Sequence, residues 1–495
     1  MTDLRAISLF NTLTRKVEPV TPLAAGEVKI YNCGPTIYNY AHIGNLRTFL
    51  FQDLLRRTFE TAGYRVTFCM NLTDVEDKII RDSQKGLPAD ADNETRLQVM
   101  RTFTDTYERA FLEDLDALRI ERPTIMPRAT SYITEMIRLV TALETRGLAY
   151  ERDGSVYFRV NDLPQYGCLS HIDREGMQLG TSVDSDEYDR DSVSDFVLWK
   201  GTKPGEPWWE SPWGKGRPGW HIECSAMALS LLGQRLDIHT GGVDLIFPHH
   251  ENEIAQSEGA LGHGWVNHWV HGDFLMVEGE KMSKSLGNFF TLRDLVAKGV
   301  DPISFRFAIQ GNHYRKLYNF SFEGLRAARS TLDRIRTFRR RMEEEPGPAR
   351  EGAPDVGIDP RERVERARDE FWQSLADDLN TPEALAALLT LVTDINARDD
   401  YRALTREDRD LVVAFLDETD RLFAAWPREQ RENLDEEIEA LIAARSAAKA
   451  ARNWKEADRL RNQLKEMEIL LEDRKDGTVR WRRATAGSSA PSSSG

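Results

Sequence analysis

Cysteine is scarce in this 495-residue chain. There are four, Cys33, Cys69, Cys168 and Cys224, far apart and without a Cys-x-x-Cys pair. That spacing argues against a disulfide framework and suits a reducing compartment, read here as the cytoplasm. Long apolar runs are also missing. No window approaches the roughly 20 residues a membrane span needs, and Met1 to Phe10 carries Asp3 without the apolar core of a secretory signal. Positive charge is in deficit, with 66 Lys and Arg against 81 Asp and Glu. A net charge of -15 argues against a protein that coats nucleic acid by bulk charge. The deficit is uneven, because residues 445–483 hold twelve Lys or Arg and only seven Asp or Glu. A basic end on an acidic chain fits either a local RNA contact or a solvated helical face.

At roughly 150 residues per domain, the length predicts about three domains. Val28 and Ile30 alternate with polar neighbours and predict a strand. Leu46, Leu50 and Leu54 then share a helical face, and Gly63 is placed for a helix C-cap. Tyr64, Val66, Phe68 and Met70 alternate as a second strand, so the unit reads as a parallel pair with a helical crossover. Residues 121–214 look inserted. They contain a predicted hairpin at Asp153-Gly154 and a run rich in Pro, Gly and Trp from Lys203 to Trp220. The strand–helix rhythm resumes near Leu236-Asp237-Ile238. Beyond about residue 316 the pattern is helical, with one helix starting at Thr381-Pro382-Glu383 and a loop over 346–360. The final Ala484 to Gly495 has a disordered composition. The predicted class is α/β: a Rossmann-like parallel sheet split by a connective insertion and followed by an all-α C-terminal region.

Two short strings carry chemistry. Ala41-His42-Ile43-Gly44-Asn45 falls where the first strand meets its helix. A helix N-terminus offers free N–H groups and a positive dipole end, which suits phosphate. Gly44 permits close backbone approach, while His42 and Asn45 are hydrogen-bond donors. Lys281-Met282-Ser283-Lys284-Ser285 spaces two lysines with small, flexible residues, suited to holding a leaving pyrophosphate. A third group is His249-His250-Glu251-Asn252-Glu253, where Pro248 is a good first helical residue and His249 and Glu253 share a face. Imidazole, carboxylate and thiolate all bind zinc. Spacing alone leaves open whether Cys33 and Cys224 join that pair or are core thiols. Seven of the ten histidines lie within residues 221–271, as support around a metal or as a polar pocket floor.

Together the two strings, their order and the split sheet resemble a class I aminoacyl-tRNA synthetase. Asn45 stands where the commonest form of the first signature has His, as is usual in the cysteine-specific branch. Tyr31 to Thr36, Gly219 to Ser225, Phe247 to Glu253, Gly241 to Leu245 and the ending around Leu471-Glu472-Asp473 and Trp481-Arg482-Arg483 are similar to cysteinyl-tRNA synthetases over nearly the whole chain. That resemblance implies activation of L-cysteine with ATP and Mg2+, and transfer to tRNA(Cys) by a monomer. Its implied zinc ligands are Cys33, Cys224, His249 and Glu253. Trp220, Cys33, Gly34 and Thr36 are the implied substrate contacts. His42, Asn45, Lys281 and Lys284 are the implied catalytic groups, and Gly44, Gly242 and Asp244 complete the ATP site.

The implied domains are a catalytic domain at 20–120 and 215–275, the insertion at 121–214, and a stem-contact segment at 276–315. A helical tRNA-binding bundle at 316–425, an anticodon-binding domain at 426–483 and the tail 484–495 follow. Arg480, Trp481, Arg482 and Arg483 offer charge and a stacking surface near the anticodon. Two rivals are weighed: a ligase joining cysteine to an amino sugar, and a catalytically inert RNA-binding paralogue. Cys69 is expected in the core, and Cys168 has no assigned role.

Overall fold

Alternation in Glu27–Asn32 sorts its side chains to two faces. Val28 and Ile30 enter one buried cluster, and Tyr31 enters another. In a computed structural model of the protein, this strand (β1) forms a four-stranded parallel sheet with Arg65–Met70 (β2), Leu236–Gly242 (β3) and Val266–Gly272 (β4). The described residues are 4–172, 195–282, 287–344, 360–396, 404–428, 431–450, 453–467, 469–473 and 479–483. Strand order is β4-β3-β1-β2. Both faces are covered: β3 is buried at every position, and Cys69 has no exposure. The chain leaves β1 towards β2 on one side, while β3 lies on the other. The crevice past the C-terminal ends of β1 and β3 is therefore a topological switch point, where ligands of open α/β sheets bind.

The helices that matter for the site are α1 (Ile43–Thr61), α2 (Asn93–Ala117), α3 (Trp220–Leu232), α4 (Glu251–Leu261), α5 (Leu292–Ala297), α6 (Pro302–Gln310) and α7 (Arg406–Phe423). Helix α1 is the expected crossover. It ends at Ala62, one residue before the expected Gly63, which takes φ +99°. The predicted hairpin is present, with strands Ala149–Arg152 and Ser155–Phe158 around Asp153 and Gly154. It opens a separate antiparallel sheet, continued by Phe196–Gly201 and completed by Gly216–Pro218, which falls just past the expected end of the insertion at residue 214.

A buried ion pair fixes α1. Arg306 of α6 has no solvent exposure and donates to Asp53 at 2.6 Å, to the Phe423 carbonyl at 2.6 Å and to the Leu118 carbonyl at 2.8 Å. Asp53 also accepts from Arg57 at 2.8 Å. Burial alone would raise the Asp53 carboxyl, but the two guanidinium groups hold it below its usual range. Removing one member of such a pair costs about 3–5 kcal/mol, because the other charge stays buried.

The chain divides into two units, residues 1–426 and 427–495. Trp426 is fully buried and packs on Phe307 and Phe423, so it belongs with the first unit. The second unit holds helices Arg431–Ala450 and Trp454–Glu466 around Ile438, Ile442, Leu464 and Ile469. It also closes with an antiparallel hairpin, Ile469–Asp473 and Val479–Arg483, where a purely helical pattern was expected. Val479-Arg480-Trp481-Arg482 alternates apolar and charged residues with a period of two, the strand signal. Trp481 is partly buried against the small core. The expected loop over 346–360 (up to residue 359), the tail 484–495 and residues 173–194 of the insertion lie outside the described residues.

Candidate active site

Cys33 follows β1 directly, and Cys224 lies in the first turns of α3. Their sulfurs are 3.7 Å apart although 191 residues separate them. His249 and Glu253 face them. His249 Nε2 is 3.1 Å from Glu253 Oε1, which is 3.5 Å from the Cys33 sulfur. One donor atom from each of these four buried residues lies within 4.8 Å of the others. Regular α4 begins only at Glu251. Residues 246–250 form a wider turn with extended Phe247 instead of a helix starting at Pro248. The pairing of His249 with Glu253 survives that change.

The donor chemistry fits a metal ion that accepts thiolate and imidazole. A second grouping of Cys33, His239, His250 and Glu253 also meets the distance requirement. The first fits better. It holds two sulfurs, and His249 lies against Trp220 and His221, which line a cavity of about 310 Å³ together with Thr36. His239, by contrast, has no exposure and is stacked on Trp269. Trp220 is 38% exposed and stands 4.4 Å from the His249 ring. At Gly34, a Cβ would fall 1.8 Å from the Asn71 carbonyl oxygen, so no side chain fits between Cys33 and the cavity wall.

The electrostatics are those of a charged, buried cluster. Burial alone would raise the Glu253 carboxyl, but His239 and His249 hold it down at about 2. Burial alone would lower His249, but hydrogen bonds that it donates to Cys224 and Glu253 push it up to about 10. The hydrogen bond from Cys33 draws the Cys224 thiol down to about 6, against the opposite push of burial. Behind the donors, Thr12 Oγ1 lies 2.7 Å from His271 Nδ1, and His271 Nε2 lies 2.7 Å from His250 Nδ1. His250 Nε2 then lies 3.3 Å from the Cys33 sulfur. His239 Nε2 meets Glu253 at 2.9 Å, and His221 meets His249 at 2.9 Å. Of the seven clustered histidines, His249 is a donor and four others, His221, His239, His250 and His271, surround the donors. His263 is exposed, and His268 is buried near Glu18. Thr12 carried no signal in the sequence.

His42 caps α1. Its Nδ1 accepts from the Gly44 and Asn45 amides at 3.1 and 3.2 Å, and Asn45 Oδ1 accepts from the His42 amide at 3.3 Å. This reciprocal capping box uses Nδ1 as an acceptor, so a neutral ring carries its proton on Nε2. Burial lowers the His42 pKa, favouring that neutral form. Nε2–H and the Asn45 amide nitrogen are then left as donors at the helix N-terminus. Gly242 ends β3, and Asp244 is exposed in the turn after it. Enclosure by the surrounding chain raises the Asp244 carboxyl, with His249 and Lys281 opposing the rise. Lys281 is exposed, and Met282 reaches Gly44. Lys284 lies outside the described residues.

The fold is similar to that of Mycobacterium tuberculosis methionyl-tRNA synthetase in complex with methionyl-adenylate. The TM-score is 0.57 at 15% identity, covering 80% of this chain and 89% of that one. Residues 19–330 match the family described as tRNA synthetases class I (C) catalytic domain. Residues 370–424 match a DALR domain, and residues 431–482 match a cysteinyl-tRNA ligase anticodon binding domain. Fold and matched domains define a class I aminoacyl-tRNA synthetase. Cysteine–tRNA ligases from Solibacter usitatus and Koribacter versatilis are 46% and 44% identical to it, each over 97% of this chain and 100% of the relative. The chain belongs to the cysteine–tRNA ligase family. Among the described residues, no helix is long and apolar enough to cross a membrane.

Proposed function

We propose that Cys33, Cys224, His249 and Glu253 hold one zinc ion at which the thiol of L-cysteine is recognised during its activation by ATP and transfer to tRNA(Cys). The convergence of four buried donors beside the cavity lined by Trp220 and Thr36 carries this reading. Bound zinc would supply a preference for thiolate over hydroxyl, which separates cysteine from serine. An apolar pocket would give only about 10–200-fold for such small differences. Four protein donors usually close a zinc site. The Glu253 contact is accordingly read as the weak one, which leaves room for the substrate thiol.

The remaining chemistry belongs to the rim. Trp220 walls the amino-acid cavity, and Gly34 and Thr36 shape its floor. The cysteine carboxylate attacks the α-phosphate of ATP, bound with Mg2+, to give cysteinyl-adenylate and pyrophosphate. His42 Nε2–H and Asn45 donate to phosphate oxygens as they gain charge, and Lys281 and Lys284 hold the pyrophosphate. Gly242 and Asp244 stand beside the adenosine. A terminal tRNA hydroxyl then takes the acyl group, so no side-chain nucleophile is required.

The matched anticodon-binding domain supports tRNA over an amino sugar as acceptor. Complete nucleotide signatures argue against an inert paralogue. Charging of tRNA by the purified protein, with metal measured in the same sample, tests the whole reading. Active protein without stoichiometric zinc, or equal loading of serine and cysteine, overturns it. Ending the chain after Trp426, at the boundary between the two units, should spare cysteine-dependent pyrophosphate exchange and abolish efficient charging. Equal loss of both would count against a tRNA role for residues 427–495.

A further inference from the structure

The two nucleotide segments are joined through their backbones. His42 and Thr291 form an isolated antiparallel bridge, and the Ile43 amide donates to the Phe290 carbonyl at 2.9 Å. Tyr40, two residues before His42, lies close to Arg293, two residues after Thr291 and already in the first turn of α5. Their side chains meet, with the guanidinium carbon 4.7 Å from the Tyr40 ring centroid. The same guanidinium donates to Asp114 Oδ1 at 2.6 Å, to Glu113 Oε2 at 2.7 Å and to the Ala110 carbonyl at 3.1 Å, all on α2. The Tyr40 ring packs edge-on against Tyr107 of α2 at 5.6 Å. A capping box of Thr291 and Asp294 fixes the first turn of α5, from which Arg293 projects. The edge of Phe289 meets the His42 ring at 5.1 Å.

We propose that Arg293 is a positioning residue for cysteine activation. It locks segment 289–293 against the turn Tyr40–Ile43 and thereby sets where the His42 ring and the N-terminus of α1 stand. Core packing of Ile43 and Leu292 anchors the inner side of the two segments, but on the outer side the single backbone hydrogen bond to Phe290 nets only about 1 kcal/mol in water, which leaves Arg293 to hold the exposed edge. A planar guanidinium can grip two carboxylates and a carbonyl with its edge while its face covers an aromatic ring. An ammonium group cannot do both. A slip of segment 289–293 would move Phe289, which touches the His42 ring directly. The inference rests on the reading of His42 as a phosphate donor.

Full-length Arg293→Ala, Arg293→Lys, Tyr40→Leu and the Arg293→Ala/Tyr40→Leu double variant test this by cysteine-dependent ATP–pyrophosphate exchange. Rates are expressed per active site, and zinc content and thermal melting are measured on the same samples. Arg293→Ala should lower kcat at least about 10-fold, because small misplacements of catalytic groups are costly in rate. The KM for cysteine and the zinc content should stay unchanged. Arg293→Lys should recover part of the loss by keeping a cation over the ring. The double variant should be no worse than Arg293→Ala alone, since both changes remove one contact. An unchanged kcat per active site with a lowered melting temperature would make Arg293 merely structural and overturn the proposal, as would losses that multiply in the double variant. If Arg293→Ala fails to fold, Arg293→Lys and Tyr40→Leu decide by the same criteria. His42→Ala separates the two readings. Surviving exchange in that variant removes the phosphate role of His42. Lost exchange there, beside an intact kcat in Arg293→Ala, removes only the positioning role of Arg293.

Discussion

Glu253 has no solvent exposure, whereas Asn45 is exposed, although both serve the crevice at the C-terminal ends of the same parallel sheet. The donor cluster takes its four side chains from three separate stretches of chain and hides them beneath Trp220. Its geometry is set by packing, and Cys33, His249 and Glu253 each have a histidine neighbour behind them. The nucleotide rim takes its groups from a helix N-terminus and a nearby loop, held by a capping box and one backbone bridge. Burial makes the cluster rigid and keeps water from competing with a thiol. On the proposed reading, exposure would let the rim receive a large, highly charged nucleotide and release its product. Selection of the amino acid and stabilisation of phosphate charge would then be separated in space and in dielectric environment.

That separation can be broken on either side, with different readouts. Cys224→Ser should have the largest effect. It should remove the metal and lower cysteine activation by more than the roughly 10–100-fold that loss of a supporting partner costs. Metal analysis with pyrophosphate exchange checks it, and retained zinc would contradict the ligand role. His42→Ala should lower exchange about 100-fold in kcat, the scale seen when one preorganised donor is lost, while zinc content stays whole. Loss of zinc in that variant would show the two regions to be coupled. His239→Gln should leave the fold intact and weaken zinc affinity about 10-fold, because Glu253 loses the imidazole at 2.9 Å. A competition titration against a chelator measures this. Gly44→Ala should have the smallest effect, roughly 3-fold on exchange. Its Cβ would stand 2.7 Å from the Met282 methyl and 3.0 Å from the His42 ring, and the methionine can move aside. An undiminished rate would show that the ring has more freedom than its cap implies.

Local order was legible in the chain. Alternation marked β1 and β2, the 3.6-residue pattern marked α1, and Asp153-Gly154 marked the hairpin, because each depends on neighbours a few positions away. Residue chemistry marked His249 and Glu253, while Cys33 and Cys224 joined them only through the family resemblance, and the basic C-terminus marked a second functional region. The helix start expected at Pro248 missed the wide turn before α4, and the all-helical reading of the end missed the hairpin of Ile469–Asp473 and Val479–Arg483.

The sequence by itself thus determined which segments are strand or helix and which side chains have the chemistry for metal and phosphate. Only the tertiary structure decided that Cys33 and Cys224 stand 3.7 Å apart, that Thr12 closes a line of histidines, and that Arg293 covers Tyr40. The reason is physical. Secondary structure follows from short-range sterics and burial pattern, whereas meetings between distant positions depend on how crossovers and helices pack the sheet. No local pattern encodes that packing.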